Sequence, residues 1–389
     1  MESTLKRTWV EIDLDALTHN YHTLCCRMGP NSRFVGVVKA DAYGHGAVEV
    51  SRVLEELGAG GLAVSNIDEA RELRGAGIRL PILQLGLTPA DQTTLAIENQ
   101  ITQTVWSESS AEVFSREAVR LGGVLTVHIK LDTGMSRLGF QCDRPHFEAS
   151  LEAICRVCGL PGLEAEGIFT HFAVSDETEE SSRDYTLRQY DRFRSMVRAL
   201  EMRGATFRLL HCANSGATVA YPQFAHDLFR PGIITYGIGH QAGELGLLPV
   251  MTLKTVVGAI KELLPDTAVS YGRTFRARRP SRVGVLPIGY ADGLHRTLSN
   301  RWQVWTAQGP APVVGNICMD MCMVDLTDLP QVGEGDEVEV YGPNSSVNDA
   351  AAAAGTISYE LTCAVSKRVP RVYLRGGKEV SRELLLRGI

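Results

Sequence analysis

The 389-residue sequence is long enough for two domains with separate cores. Its formal net charge of −6 offers no basic surplus, and no run approaches about 18 consecutive apolar residues, so neither a nucleic-acid partner nor a membrane span is expected. Nine cysteines, an odd number, fit free thiols, and Met1 to Asp13 is charged and lacks the apolar run of a signal peptide, so a reducing cytoplasm is the expected compartment. Cys155 and Cys158 have CxxC spacing but lie in the helix-like run His146–Gly159 with no second pair. Cys25-Cys26 and Cys318…Cys322 have no obvious partners, and no metal centre is expected.

Along the chain, Thr8–Ile12 is β-like. Eight β-rich runs follow: Phe34–Lys39, Gly61–Val64, Ile82–Leu85, Thr102–Val105, Thr126–Leu131, Glu166–Thr170, Arg208–His211 and Asp227–Arg230. Amphipathic helical runs separate them, among them Ala47–Leu57, Ile67–Gly75, Ala111–Leu121 and Ser181–Gly204; the spacing of Ile67, Ala70 and Leu73 predicts one buried helical face. Eight strand–helix repeats without a GxGxxG turn fit an α/β fold, a (β/α)8 TIM-like barrel over residues 12–244, better than an open dinucleotide-binding sheet. Beyond residue 245 long helical runs give way to short β-rich ones: Thr252–Ile260, Arg282–Ile288, Gln303–Trp305, Pro312–Val314, Met321–Asp325 and Glu337–Tyr341. Residues 245–389 therefore read as a mostly-β C-terminal domain, which the N-terminal strand within residues 1–11 is expected to join. Ala350–Ala354 reads as a short helix.

In such a barrel the active site lies at the C-terminal ends of the strands. The residues there form a biased set. The first strand ends on Lys39, with Tyr43 next; the fifth carries Lys130 and leads into Asp132–Arg137. The sixth is followed by His171, the seventh by Asn214-Ser215-Gly216, and the eighth by Arg230-Pro231-Gly232-Ile233. Lys39 alone is ambiguous: it suits a nucleophile for a carbonyl, or a side chain that snorkels to solvent. Barrels often cradle phosphate on the loops after strands seven and eight. A carbonyl-seeking lysine, fixed cations and a phosphate cradle are what pyridoxal 5′-phosphate requires.

The motifs Val38-Lys39-Ala40-Asp41-Ala42-Tyr43-Gly44-His45-Gly46, Lys130-Leu131-Asp132-Thr133-Gly134-Met135-Ser136-Arg137-Leu138-Gly139, Thr170-His171-Phe172-Ala173, Ala213-Asn214-Ser215, Arg230-Pro231-Gly232-Ile233, Ser270-Tyr271-Gly272-Arg273, Ile288-Gly289-Tyr290-Ala291-Asp292-Gly293 and Cys318-Met319-Asp320 occur in order along nearly the whole chain. Together they resemble the alanine racemase family, pyridoxal-phosphate enzymes of fold type III. The resemblance implies interconversion of L-alanine and D-alanine, supplying peptidoglycan, with Lys39 holding the cofactor. Lys39 would also be one proton-transfer base and Tyr271 the other, one on each face of the α-carbon. Family members are head-to-tail homodimers in which the tyrosine comes from the second chain. Arg230 would face the pyridine nitrogen, with His171 orienting it by a hydrogen bond. Arg137 would bind the substrate carboxylate as a bidentate fork. Arg137 and His171 would favour the Tyr271 phenolate.

By the same resemblance, Tyr43, Asn214, Ser215, Gly232, Ile233 and Tyr359 belong to the cofactor's surroundings. Met319 and Tyr359 would wall the pocket, and Tyr290 would stand at its entrance. Lys130 matches a position that many members carry as a carbamate; the plain reading is a lysine paired with an acid such as Asp132. One departure from the family pattern is His240, where proline is common. Three other readings are weighed: a serine or broad-specificity racemase, an amino-acid decarboxylase of the same two-domain fold, and a non-enzymatic pyridoxal-phosphate carrier, which would need only the barrel.

Overall fold

The computed structural model describes residues 7–384. Eight parallel strands close into a barrel: Arg33–Val37, Gly61–Val64, Ile82–Gln84, Ile101–Val105, Leu125–Asp132, Leu163–Phe169, Leu209–His211 and Leu228–Phe229. The fourth strand pairs with the fifth, and the eighth lies between the first and the seventh, so no edge is left within the ring. Both faces of such strands are covered, which is why Gly61–Val64 is buried at every position. The helices bury one stripe each. Ile67, Ala70 and Leu73 are all inaccessible, as their spacing predicts, and Asn66 caps that helix by accepting from Glu69 N–H.

Two boundaries differ from the sequence expectation in ways that matter for the site. The first strand stops at Val37, two residues before Lys39. The eighth comprises only Leu228–Phe229, so Arg230 leaves the ladder. In both places the backbone turns away to form the loops at the barrel mouth.

The C-terminal region is built from sheets. Its largest has seven strands, with Thr8–Asp13 in its interior, antiparallel to Met251–Val256 and parallel to Arg371–Arg375. The run expected as one strand over Thr252–Ile260 is two, Met251–Val256 and Ala259–Leu263, which go to different sheets. The strand expected at Pro312–Val314 is instead Gly309–Pro312, with Val313 making a single bridge to Val324. It lies at the edge of its sheet, where prolines such as Pro310 and Pro312 cost no ladder hydrogen bond. The small-residue segment forms the helix Val347–Ala354. Both CxxC cysteines lie in the helix Phe147–Cys158, half-buried against the core, and all nine cysteines are free thiols. No described helix is long and apolar enough to cross a membrane.

Candidate active site

Lys39 opens a turn of left-handed helix. Ala40, Asp41, Ala42 and Tyr43 have φ of 52–55°. Left-handed backbone costs roughly 1–2 kcal/mol per non-glycine residue, so the turn holds roughly 4–8 kcal/mol of strain. Polar contacts offset it. Ala40 N–H donates to Glu69 Oε1 at 2.8 Å, Ala47 N–H to Asp41 Oδ1 at 2.9 Å, and the Arg371 guanidinium lies 3.5 Å from Asp41. Arg371, itself 1 % exposed, also donates to Gly44 O at 3.2 Å. The C-terminal region thus reaches into the barrel and clamps the turn that presents the lysine. Burial lowers the Lys39 pKa, and the nearby Arg137 cation lowers it further. Both favour the neutral amine, the nucleophilic form.

Tyr43 follows directly from that turn. Its ring is buried, edge-on to Tyr359 at 5.8 Å, and its hydroxyl lies beside Gly232. A Cβ on Gly232 would stand 2.5 Å from Tyr43 Oη and 3.5 Å from Ser215 Oγ. Gly232 N–H donates to Ser215 Oγ at 2.8 Å. Two hydroxyls and a glycine backbone thus meet in a cluster too close for any larger residue at position 232. Ile233 begins the 3-10 turn that closes it. Asn214 is committed to the loop itself: its Oδ1 accepts from Ala217 N–H and Ser175 Oγ, and its Nδ2 donates to Phe172 O.

Arg230 is 4 % exposed. It donates to His211 Nδ1 at 2.5 Å, Thr170 O at 2.8 Å and Cys212 O at 3.3 Å. The histidine that orients it by a hydrogen bond is therefore His211 at the end of the seventh strand, in place of the expected His171. His171 is half-buried, with its carbonyl accepting from Gln189, and burial together with Lys130 and the nearby arginines drives its pKa well below the usual value. Burial brings Arg230 down to about 10, still far above neutrality.

Lys130 is buried and has no ion pair among the described residues; its Nζ stands 4.6 Å from the Phe169 ring centroid. Asp132, the acid considered for it, has Oδ1 accepting from Gly134 and Ser136 N–H instead. Burial, Arg230 and Arg137 drive the Lys130 pKa well down. The loop carrying Arg137 is fastened from outside by the helix Glu180–Met202: Tyr185 Oη donates to Gly134 O at 2.6 Å and Arg192 to Thr133 O at 2.9 Å. The Arg137 side chain itself is exposed.

Tyr271 sits at the tip of the hairpin Ala268–Val269/Phe275–Arg276 and is 73 % exposed. Asn316 Nδ2 donates to its carbonyl at 2.7 Å, so the tip is pinned while the phenol is displayed. Tyr290 and Met319 are exposed too, on two loops locked together by Tyr290 N–H to Cys318 O and Ala291 N–H to Met319 O, both 3.0 Å. Asp292 anchors this pair, accepting from Arg7, Arg368 and Gly289. Burial would raise its pKa, but hydrogen bonds from the two arginines outweigh that and hold it low.

Comparison with known proteins identifies this arrangement. The family model described as alanine racemase, N-terminal domain, matches residues 12–240, and alanine racemase, C-terminal domain, matches 250–373. The chain belongs to the alanine racemase family. The alanine racemase of Desulfovibrio desulfuricans is 43% identical over 379 residues, 96% of this chain and 100% of the relative. That of Desulforamulus reducens is 44% identical over 371 residues, 94% of this chain and 98% of the relative. Among solved structures, the alanine racemase of Clostridium difficile 630 superposes with a TM-score of 0.94 at 37% identity, covering 99% of this chain and 100% of that one. The Bacillus anthracis alanine racemase with bound L-Ala-P gives 0.89 at 34%, covering 99% and 100%. These relatives support alanine racemisation as the activity of this chain, in the fold expected from its strand–helix repeats.

The sequence carried a signal for His211 and for His128 beneath it. His211 ends the strand Leu209–His211, two residues after Leu209, and His128 precedes Lys130 by two in Leu125–Asp132. In a strand with period two, that pairing puts both side chains on one face of the barrel wall.

Proposed function

We propose that this alanine racemase works with pyridoxal 5′-phosphate and two bases, Lys39 and Tyr271, at a site shared between two copies of the chain. The observation that carries the reading is the cluster of Tyr43, Ser215 and Gly232 beside a lysine whose pKa is lowered by burial and by Arg137. The residues fit a phosphorylated aldehyde: the clustered Tyr43 and Ser215 hydroxyls for the phosphate, and a nucleophilic amine for the carbonyl. Bound there, the cofactor supplies an electron sink that makes the α-proton of alanine removable. Lys39 Nζ exchanges that proton on one face of the α-carbon, and the Tyr271 phenol on the other. Arg137 holds the substrate carboxylate. Arg230 presents a donor to the ring nitrogen and keeps its own proton. Asn214 supports the cradle by capping the loop after the seventh strand; Ile233 and Tyr359 close its sides, and His171 lies among the cations at its rim.

The exposed Tyr271 suits a site completed by a second copy, as in a head-to-tail homodimer. Met319, also exposed, would then wall the substrate end together with Tyr359, a thioether and a phenol that leave room for a methyl group, and Tyr290 would stand at the entrance. A buried Lys130 with no ion pair among the described residues, under the influence of Arg230 and Arg137, is suited to carbamylation by CO2. The carbamate anion would place a negative charge beside Arg137 and Arg230. Cytoplasmic supply of D-alanine to peptidoglycan is the role that follows, with the barrel over 12–244 and the C-terminal domain over 245–389.

The test is Tyr271→Phe in deuterium solvent. The variant should exchange the α-proton of one alanine enantiomer with racemisation slowed at least about a hundredfold, within the range a single acid–base group contributes. Equal loss of exchange from both enantiomers would remove the two-base assignment. Rates on serine against alanine separate the broader racemase, and CO2 release the decarboxylase.

A further inference from the structure

Behind Arg230 a line of polar groups runs down the inside of the barrel. Arg230 donates to His211 Nδ1, His211 Nε2 lies 2.8 Å from His128 Nδ1, and His128 Nε2 lies 3.1 Å from Glu166 Oε2. The other Glu166 oxygen pairs with Arg208 at the barrel floor. The three inner groups are 4 %, 0 % and 3 % exposed for Arg230, His211 and His128.

Only one arrangement of hydrogens satisfies this line. A guanidinium can only donate, so His211 Nδ1 carries a lone pair and its proton is on Nε2. That N–H faces His128 Nδ1, which must accept, so the His128 proton is on Nε2 and faces a carboxylate, which accepts. Every bond therefore points from Arg230 towards Glu166. No carboxylate lies within 4.0 Å of Arg230 among the described residues, so Glu166 is the compensating charge that its aligned partners lead to. Packing alone does not hold these rings. Phe169 stacks on one face of His211 at 4.7 Å, but a cavity of about 120 Å³ opens beneath, lined by Arg33, Arg208, Glu166 and both histidines.

We propose that His128 and Glu166 are positioning residues for the racemisation, acting through His211 to hold the Arg230 guanidinium in one orientation. The inference rests on the reading of Arg230 as the group that faces the cofactor ring nitrogen. Neither His128 nor Glu166 touches substrate or cofactor.

The experiment is nitrogen-15 NMR of histidine-labelled protein, with and without pyridoxal phosphate, alongside alanine kinetics. In the native protein His211 and His128 should both show the Nε2–H tautomer. His128→Phe removes both ring nitrogens. It should shift the His211 signals and lower kcat about tenfold with KM for alanine changed less than about twofold, the pattern of a lost transition-state interaction. His128→Gln can accept from His211 with its oxygen and donate to Glu166 with its amide, and should restore both readings to within about threefold. Glu166→Leu, at the partly exposed floor, repeats the test should His128→Phe fail to fold, and should give the same loss. Nδ1–H on His211 in the native protein, or His128→Phe with native signals and native kcat, would overturn the proposal. An Arg230→Leu variant with native kcat would overturn the reading of Arg230 and this proposal with it, whatever the tautomers; native tautomers as expected beside that result would locate the failure in Arg230.

Discussion

Replacing Arg371 with methionine tests whether the C-terminal region holds the lysine-bearing turn. Four backbone carbonyls accept from this guanidinium: Gly44 O at 3.2 Å, Ser366 O and Val369 O at 2.8 Å, and Val365 O at 3.0 Å. Methionine fills the stem volume and donates nothing. At the low end of about 1–3 kcal/mol for each acceptor left unsatisfied, four acceptors amount to about 4 kcal/mol. Removing a buried guanidinium returns part of its desolvation cost, so a net loss of about 3 kcal/mol is expected, a large share of a typical 5–15 kcal/mol. Urea unfolding followed by circular dichroism measures it, and Arg371→Lys, with one compact donor head, should lose less. The loss should depend on pH. Burial raises the Asp41 pKa and Arg371 opposes that. Without Arg371 the folded-state pKa of Asp41 rises further, so the deficit is smallest where Asp41 is protonated and grows as pH rises through its titration. A change below about 1 kcal/mol, with no pH dependence, would refute the clamp and with it the account of how the left-handed turn is sustained.

Gly232→Ala places a Cβ 2.5 Å from Tyr43 Oη, so pyridoxal-phosphate affinity should fall at least about tenfold while the apoprotein unfolds near its native temperature, checked by cofactor titration and calorimetry. Acid should destabilise the fold steeply. Burial holds His45 and His128 down at about 3 and His171 and His211 well below their usual value, so the unfolded chain binds protons first. Each can remove up to about 1.4 kcal/mol per pH unit as pH falls below about 6.5, and His128→Gln should make the melting temperature less steep in pH. Carbamylation of Lys130 predicts that purging CO2 lowers activity and bicarbonate restores it, with Lys130→Ala insensitive to both; equal insensitivity in the native enzyme would refute it. Serine at both Cys155 and Cys158 should leave activity within about twofold, since the two sulfurs only pad a helix against the core.

The period of the apolar residues, and the chemistry-bearing residues at the strand ends, were enough to place an eight-strand barrel, a β-rich second region and the set around Lys39. Both signals are local, and both survive in a linear reading. Tertiary structure alone decided three things. The break between Val256 and Ala259 depends on which sheet each half joins, and strand propensity does not distinguish sheets. The left-handed turn after Lys39 is held by Glu69 and Arg371, one of them far along the chain, and no local preference of alanine, aspartate or tyrosine predicts four such residues. The resemblance to the family implies His171, next to the sixth strand, as the partner of Arg230, whereas His211 at the end of the seventh reaches it. Residues facing into a barrel meet across strands by register and tilt, so which histidine points at which arginine is written in the closed ring and not in the order of the chain.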